Sequence, residues 1–128
     1  MTVYIMPFVQ TNIEEIEDEL FIKALERLCK EAEEKDEIKR TVKDRKHTGN
    51  QIKGTNLLKI RVPLKQKGKR GGGRVIYYYR EKEYIFYIYI YSKSERSDIS
   101  KALEKELEGL LQVFLDNRHR TTKKRGQI

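Results

Sequence analysis

The sequence predicts an α+β domain: a small antiparallel-rich sheet, built from an N-terminal strand plus a three-stranded meander, with helices packed on one face. Three observations predict it. Between residues 57 and 91, three stretches rich in branched and aromatic residues follow one another, separated only by a glycine-rich segment and a short polar turn. Before and after them, apolar residues recur at three- and four-residue spacing. A chain of 128 residues has room for one modest core and not for two. The domain is expected over residues 1–116, with residues 117–128 a frayed basic tail.

VYIMPFVQT, residues 3–11, reads as the first strand, with Pro7 marking an edge or a bend. Thr11 or Asn12 can then cap a helix with acids in its first turn, Glu14, Glu15, Glu17, Asp18 and Glu19. Ile13, Ile16, Leu20, Ala24, Leu25 and Leu28 carry its apolar stripe to about residue 35, with one break near Leu20. Residues 36–56 are polar and read as a loop punctuated by Gly49 and Gly54. LLKIRVPL (57–64) alternates, with Leu58, Ile60, Val62 and Leu64 on one face and Lys59 and Arg61 on the other. The segment GKRGGGR leads into the second meander strand, 74–80. The turn REKE leads into YIFYIYIY (84–91), apolar on both faces and so a central strand. Ser97 or Asp98 can cap a last helix with Ile99, Ala102, Leu103, Leu107, Leu110, Leu111, Phe114 and Leu115 at helical spacing.

Composition narrows the function. The net charge is +8, and 38% of residues are charged, yet eight tyrosines and four phenylalanines supply bulky core material. Residues 12–37 hold eleven acids against four bases, whereas residues 53–82 hold ten bases against one acid, Glu81. Such polarisation fits a basic surface facing a polyanion. No apolar run reaches the roughly 18 residues of a membrane span, and MTVYIMPFVQT has no signal-peptide pattern, so a cytoplasmic protein is expected. Cys29 sits within a helical apolar pattern and reads as a buried small hydrophobe.

Strand parity gathers the bases. Lys59 and Arg61 point away from the apolar set, and Arg74, Ile76, Tyr78 and Arg80 share a face of the second strand. On the third strand, Ile85, Tyr87, Tyr89, Tyr91 and, in phase, Lys93 share the face opposite Tyr84, Phe86, Ile88 and Ile90. The open face is thus expected to carry Lys59, Arg61, Arg74, Tyr78, Tyr89, Tyr91 and Lys93, a cationic groove floored with aromatics. Such a groove suits single-stranded RNA, where cations neutralise phosphates and rings stack on bases. The tyrosines are equally open to plain core packing with hydroxyls reaching water.

Other chemistries lack their residues. GKRGGGR has no GxxxxGK[ST] pattern and no helix after it, so it is neither a Walker loop nor a dinucleotide fingerprint. His47 and His119 are far apart, no His, Cys and carboxylate set has metal-ligand spacing, and no GxSxG occurs. No metal and no cofactor is expected.

The segment NQIKGTNLLKIRVPLKQKGKRGGGRVIYYYREKEYIFYIYIYSKSERSDIS, from residue 50 to residue 100, resembles the RelE/ParE superfamily of toxins from type II toxin–antitoxin modules. Within it the likeness is to the HigB branch. A loop ending I-x-G-(T/S), a K-(I/L)-R strand, a basic glycine loop, an R-V-I-Y-Y strand and a strand ending K-(S/N/R)-E-(K/R)-x-(D/E)-(I/L) occur in that order. The resemblance implies a RelE-like fold and a ribosome-dependent messenger-RNA endonuclease, working in the ribosomal A site by attack of a ribose 2′-OH on the adjacent phosphodiester, without a metal. It also implies a cognate antitoxin, of helix-turn-helix type, and a free toxin that is a monomer.

On that reading Arg61 and Arg74 stabilise charge on the phosphoryl oxygens, and Lys59 and Lys93 are candidates for acid and base, since desolvation among cations favours neutral lysine. Tyr78 and Tyr91 position or stack a base. Lys67, Lys69 and Arg70 of the glycine loop supply salt-sensitive RNA affinity. Two positions depart from the RelE pattern. Ser100 stands where such toxins carry a catalytic tyrosine, and Ser94 where a basic residue follows the lysine. Two alternatives therefore accompany the nuclease reading: a ParE-like gyrase inhibitor, and a catalytically degenerate member that only binds RNA or its antitoxin.

Overall fold

The computed structural model describes residues 12–65 and 72–126, with side chains as far as residue 118. The expected strand over residues 3–11 and the loop cations Lys67, Lys69 and Arg70 lie outside the described residues. Five strands form one mixed sheet in the order β1-β5-β4-β3-β2: β1 (Glu14–Glu17), β2 (Asn50–Gln51), β3 (Leu58–Val62), β4 (Gly73–Arg80) and β5 (Tyr84–Ser92). The helices are α1 (Glu19–Leu28), α2 (Ala32–Asp44) and α3 (Lys101–Gly126). The α+β class holds, and β3-β4-β5 is the expected antiparallel meander.

The acidic run after Asn12 is not the first turn of a helix. Glu14 to Glu17 pair in parallel with Tyr84 to Tyr87 and complete the free edge of β5. Their carboxylates find partners there: the Tyr87 hydroxyl donates to Glu15 at 2.7 Å, and Lys39 meets Glu17 at 3.0 Å. Backbone pairing with a waiting strand overrides local propensity. The true helix cap is Asp18, whose carboxylate accepts the Leu20 N–H at 2.9 Å. Helix α1 buries Phe21, Ala24, Leu25 and Leu28 and ends at Cys29, where the backbone turns extended.

The residues read as a polar loop contain α2. Its buried stripe is only Glu34, Ile38 and Val42, one residue per turn, which is too thin to register as hydrophobic periodicity. Buried Glu34 accepts the Lys65 N–H at 3.0 Å and so anchors the chain leaving β3.

Helices cover both faces of the sheet, not one. On one side α1 and α2 enclose Ile60, Val62, Val75, Tyr77, Ile85, Tyr87 and Ile90. On the other, α3 covers Ile76, Tyr84, Phe86, Ile88 and Tyr91 through Leu107 and Leu111, with Phe114 stacked on Phe86 at 3.9 Å between ring centres. Both faces of β4 and β5 are apolar, so both need a cover. Ser100 caps α3, its hydroxyl accepting the Leu103 N–H at 3.1 Å. Helix α3 then continues unbroken across residue 117, where fraying was expected. Among the described residues no helix is long and apolar enough to cross a membrane.

A bulge changes the expected facing of β5. Ile76 pairs with Tyr89, but Tyr77 pairs with Tyr87, so Ile88 is an extra residue. Ile85 and Tyr87 face α1 and α2, whereas Tyr91 faces the α3 side with Ile88. Simple alternation would have kept Tyr91 with Tyr87. The bulge instead brings Tyr91 opposite Arg74.

Candidate nucleic-acid cleft

The site grows from one row of the sheet. On β3, Ile60 and Val62 are drawn into the α1–α2 core, which turns Lys59 and Arg61 to the opposite face. Arg61 lies directly opposite Arg74 of β4, and Arg74 directly opposite Tyr91 of β5. Two arginines facing each other across neighbouring strands repel one another, and Arg74 also donates to the Gly73 carbonyl at 3.1 Å.

A cleft of about 240 Å³ opens beside the row, lined by Arg45, Thr48, Asn50, Lys59, Ile60, Arg61 and Arg74. Arg45 caps the C-terminus of α2, Thr48 belongs to a short 3-10 turn, and Asn50 opens the edge strand β2. Four cationic side chains thus line one polar cleft. The wall opposite Arg61 and Arg74 is not evident in the sequence, because the apolar stripe of α2 is too thin to mark a helix there. The available signal was the basic run KDRKH at 43–47, placed just before the β2–β3 hairpin.

The glycines of the basic segment serve packing. Gly72 has a φ of +51°, and a Cβ there would stand 2.4 Å from the Val62 carbonyl oxygen. At Gly73 a Cβ would meet Leu64 at 2.7 Å. Only chain without side chains passes this close to β3 and delivers Arg74 into register. Across the cleft, Gly49 gives the Tyr77 hydroxyl room to donate to the Lys46 carbonyl at 2.9 Å.

The other expected residues divide. Lys59 is half-buried, and its ammonium meets Asp98 Oδ1 at 3.3 Å, so it does not stand among cations alone. Lys93 follows β5; its backbone N–H donates to the Gly72 carbonyl and its ammonium to the Ser97 carbonyl, each at 3.0 Å. Tyr91 is only 1% exposed, so its ring offers no face to a base, and its hydroxyl points to Asp98 at 3.4 Å. Burial, then the Asp98 charge, pushes the Tyr91 phenol up to about 12, against the lowering influence of Arg74. It is a neutral hydrogen-bond donor at physiological pH. Tyr89 keeps to Tyr91's side, ring centres 6.4 Å apart. Tyr78 is not part of the cleft: it lies four residues along β4 from Arg74, about 13 Å away at strand rise, and packs near Tyr84. The two serines at the departing positions have structural partners. Ser94 shares a hydrogen bond with Ser92 at 2.8 Å, and Ser100 caps α3.

Asp98 is the functional candidate that sequence reading treated only as a helix cap. Burial pushes its carboxyl up, but the Ile99 N–H, the Lys59 ammonium and the Tyr91 hydroxyl outweigh burial and hold it below the ordinary carboxylate value. Among the described residues no three His, Cys, Asp or Glu side chains come together as a metal site.

A five-stranded α+β domain with a cationic cleft built across its meander defines a small basic protein of mixed-sheet fold. The chain belongs to the RelE toxin family: the family model for the RelE toxin of the RelE/RelB toxin–antitoxin system matches residues 20–124. It is the toxin of a toxin–antitoxin module, and an antitoxin is its partner. The matched span runs from the first turn of α1 to the last turn of α3 and includes every residue of the cleft.

Proposed function

We propose that this toxin is a ribosome-dependent messenger-RNA endonuclease of the HigB branch. It cleaves by attack of a ribose 2′-OH on the adjacent phosphodiester, leaving a cyclic phosphate on one fragment and a 5′-OH on the other. The observation that carries the proposal is the facing pair Arg61 and Arg74, with Lys59 and Arg45 in the same cleft. In the transition state negative charge grows on the non-bridging phosphoryl oxygens, and two facing guanidinium groups are suited to bind both. Their mutual repulsion becomes attraction to the shared anion.

The proton inventory has two ends. The 2′-OH must lose a proton as the O–P bond forms, and the departing 5′-oxygen must gain one as its P–O bond breaks. Tyr91, a neutral phenol beside Arg74, is suited to donate a hydrogen bond and not to act as base. Lys59 and Lys93 flank the row and remain the candidates for moving protons. Lys67, Lys69 and Arg70 add salt-sensitive affinity for the RNA backbone. The proposal carries with it the ribosomal A site and messenger RNA as partners, cytoplasmic action, an antitoxin of helix-turn-helix type and a monomeric free toxin.

Induction without antitoxin, followed by primer extension on cellular messenger RNA, tests it. Discrete new 5′ ends are expected for the wild type, and none for Arg61→Ala or Arg74→Ala chains that still fold. Full growth arrest in both variants, or arrest with intact messenger RNA and inhibited gyrase supercoiling, would overturn it.

A further inference from the structure

An acid held against a cation of the cleft is an anomaly if the cleft takes a phosphate, because it repels the ligand the cations attract. Asp98 is such an acid. A single oxygen, Oδ1, accepts the Ile99 N–H at 2.8 Å and meets the Lys59 ammonium at 3.3 Å and the Tyr91 hydroxyl at 3.4 Å. The carboxylate is fixed to the chain by the first contact and stands at the rim, its side chain 61% exposed against 27% for Lys59. Helix capping does not account for it, since α3 starts at Lys101 and its cap is Ser100.

We infer that Asp98 is a positioning residue that stands in for an RNA oxygen, holding the Lys59 ammonium and the Tyr91 hydroxyl together at the cleft and giving both up when RNA arrives. The inference rests on the RNA-cleavage reading for its rate consequence alone. The geometry is that of an anion site already filled: one oxygen with three donors converging on it, two of them side chains, Lys59 of the cleft wall and buried Tyr91. Lys59 is neutralised internally before RNA binds, so it releases no counterion when a phosphate replaces the carboxylate. Asp98 also keeps Lys59, on β3, and Tyr91, on β5, pointed at a common point across the intervening β4, an arrangement neither strand imposes.

The test uses the full chain, the variants Asp98→Asn and Asp98→Ala, and a short single-stranded RNA carrying 2′-O-methyl riboses that cannot be cut. Asp98→Asn is expected to bind this RNA more tightly at low salt. Its dependence of log affinity on log salt should be steeper by about 0.7, the contribution of one freed cation to a single strand. Loss of a merely structural residue would weaken binding or leave the slope alone. On ribosomes, where bound RNA has already replaced the carboxylate, Asp98→Ala should lower KM and leave kcat within about twofold of wild type. An unchanged or shallower salt slope in Asp98→Asn overturns the inference whatever the nuclease result. So does a kcat for Asp98→Ala about tenfold or more below wild type, if the wild type cuts, since the carboxylate would then be acting in the bound state. A wild type that cuts nothing refutes the nuclease reading and leaves the salt slope to decide Asp98.

Discussion

Replacing Arg61 with glutamine should make the protein more stable and less able to bind RNA. Arg61 and Arg74 are register partners, and facing residues of an antiparallel pair have Cα atoms about 4.5–5.5 Å apart. Two charges rising from such positions and splaying to about 7 Å repel by about 0.6 kcal/mol in water. A Debye length of about 8 Å at physiological salt cuts this to about 0.2 kcal/mol, and molar salt removes nearly all of it. Glutamine keeps the aliphatic stem and an amide donor, so packing is preserved. A domain of this size shifts by about 4 °C per kcal/mol, so the melting temperature should rise by about 2 °C at low salt and by a vanishing amount at molar salt. The assay is thermal unfolding followed by circular dichroism across a salt series, paired with RNA affinity across the same series. Arg61→Gln should lose one phosphate contact, lowering the salt slope by about 0.7. A variant that melts below wild type at low salt, or gains equally at all salts, would show that the facing pair is not an electrostatic cost held for a ligand.

Gly72→Ala should cost more than any surface change, because its φ of +51° is combined with a Cβ 2.4 Å from the Val62 carbonyl. A loss of about 2 kcal/mol or more in denaturant unfolding is expected, and wild-type stability would contradict the packing role given to this glycine. Burial pushes the phenols of both Tyr77 and Tyr91 up to about 12. Between the free value near 10 and this one the folded chain holds protons that the unfolded chain has lost, so their contribution is complete below about pH 10 and disappears as pH rises towards 12. Stability should therefore fall over that window. Replacing either tyrosine by phenylalanine should make the fall less steep, and an unaltered alkaline profile would count against buried neutral phenols.

Much of the fold was legible in the residues. The β3-β4-β5 meander follows from alternation and turns, α3 from its long apolar stripe, and buried Cys29 from the apolar pattern that runs to the end of α1. The errors share a cause. Glu14 to Glu17 look like a helix N-terminus until β5 presents an open edge, and α2 hides because one apolar residue per turn is sufficient when a helix lies on an already hydrophobic sheet. That Lys59, Arg61 and Arg74 line one cleft follows from strand alternation, which is local. Tyr78 was misplaced because sharing a face says nothing of distance along a strand, and Arg45, Thr48 and Asn50 were missed because their nearness to the row is set by α2 and the β2–β3 hairpin.

By itself, then, the sequence determined the family and the residue set: a basic, tyrosine-rich sheet bearing the RelE toxin pattern, with Arg61 and Arg74 turned away from the core. Side-chain parity and charge need only neighbours in the chain. Tertiary structure alone decided which of these groups meet. A single extra residue in β5 carries Tyr91 to the Arg74 side, and strand pairing sets Arg74 against Arg61. The turn after β5 brings Asp98 back onto Lys59. Register and chain return are settled by the packing of whole strands and helices, and no local pattern encodes them.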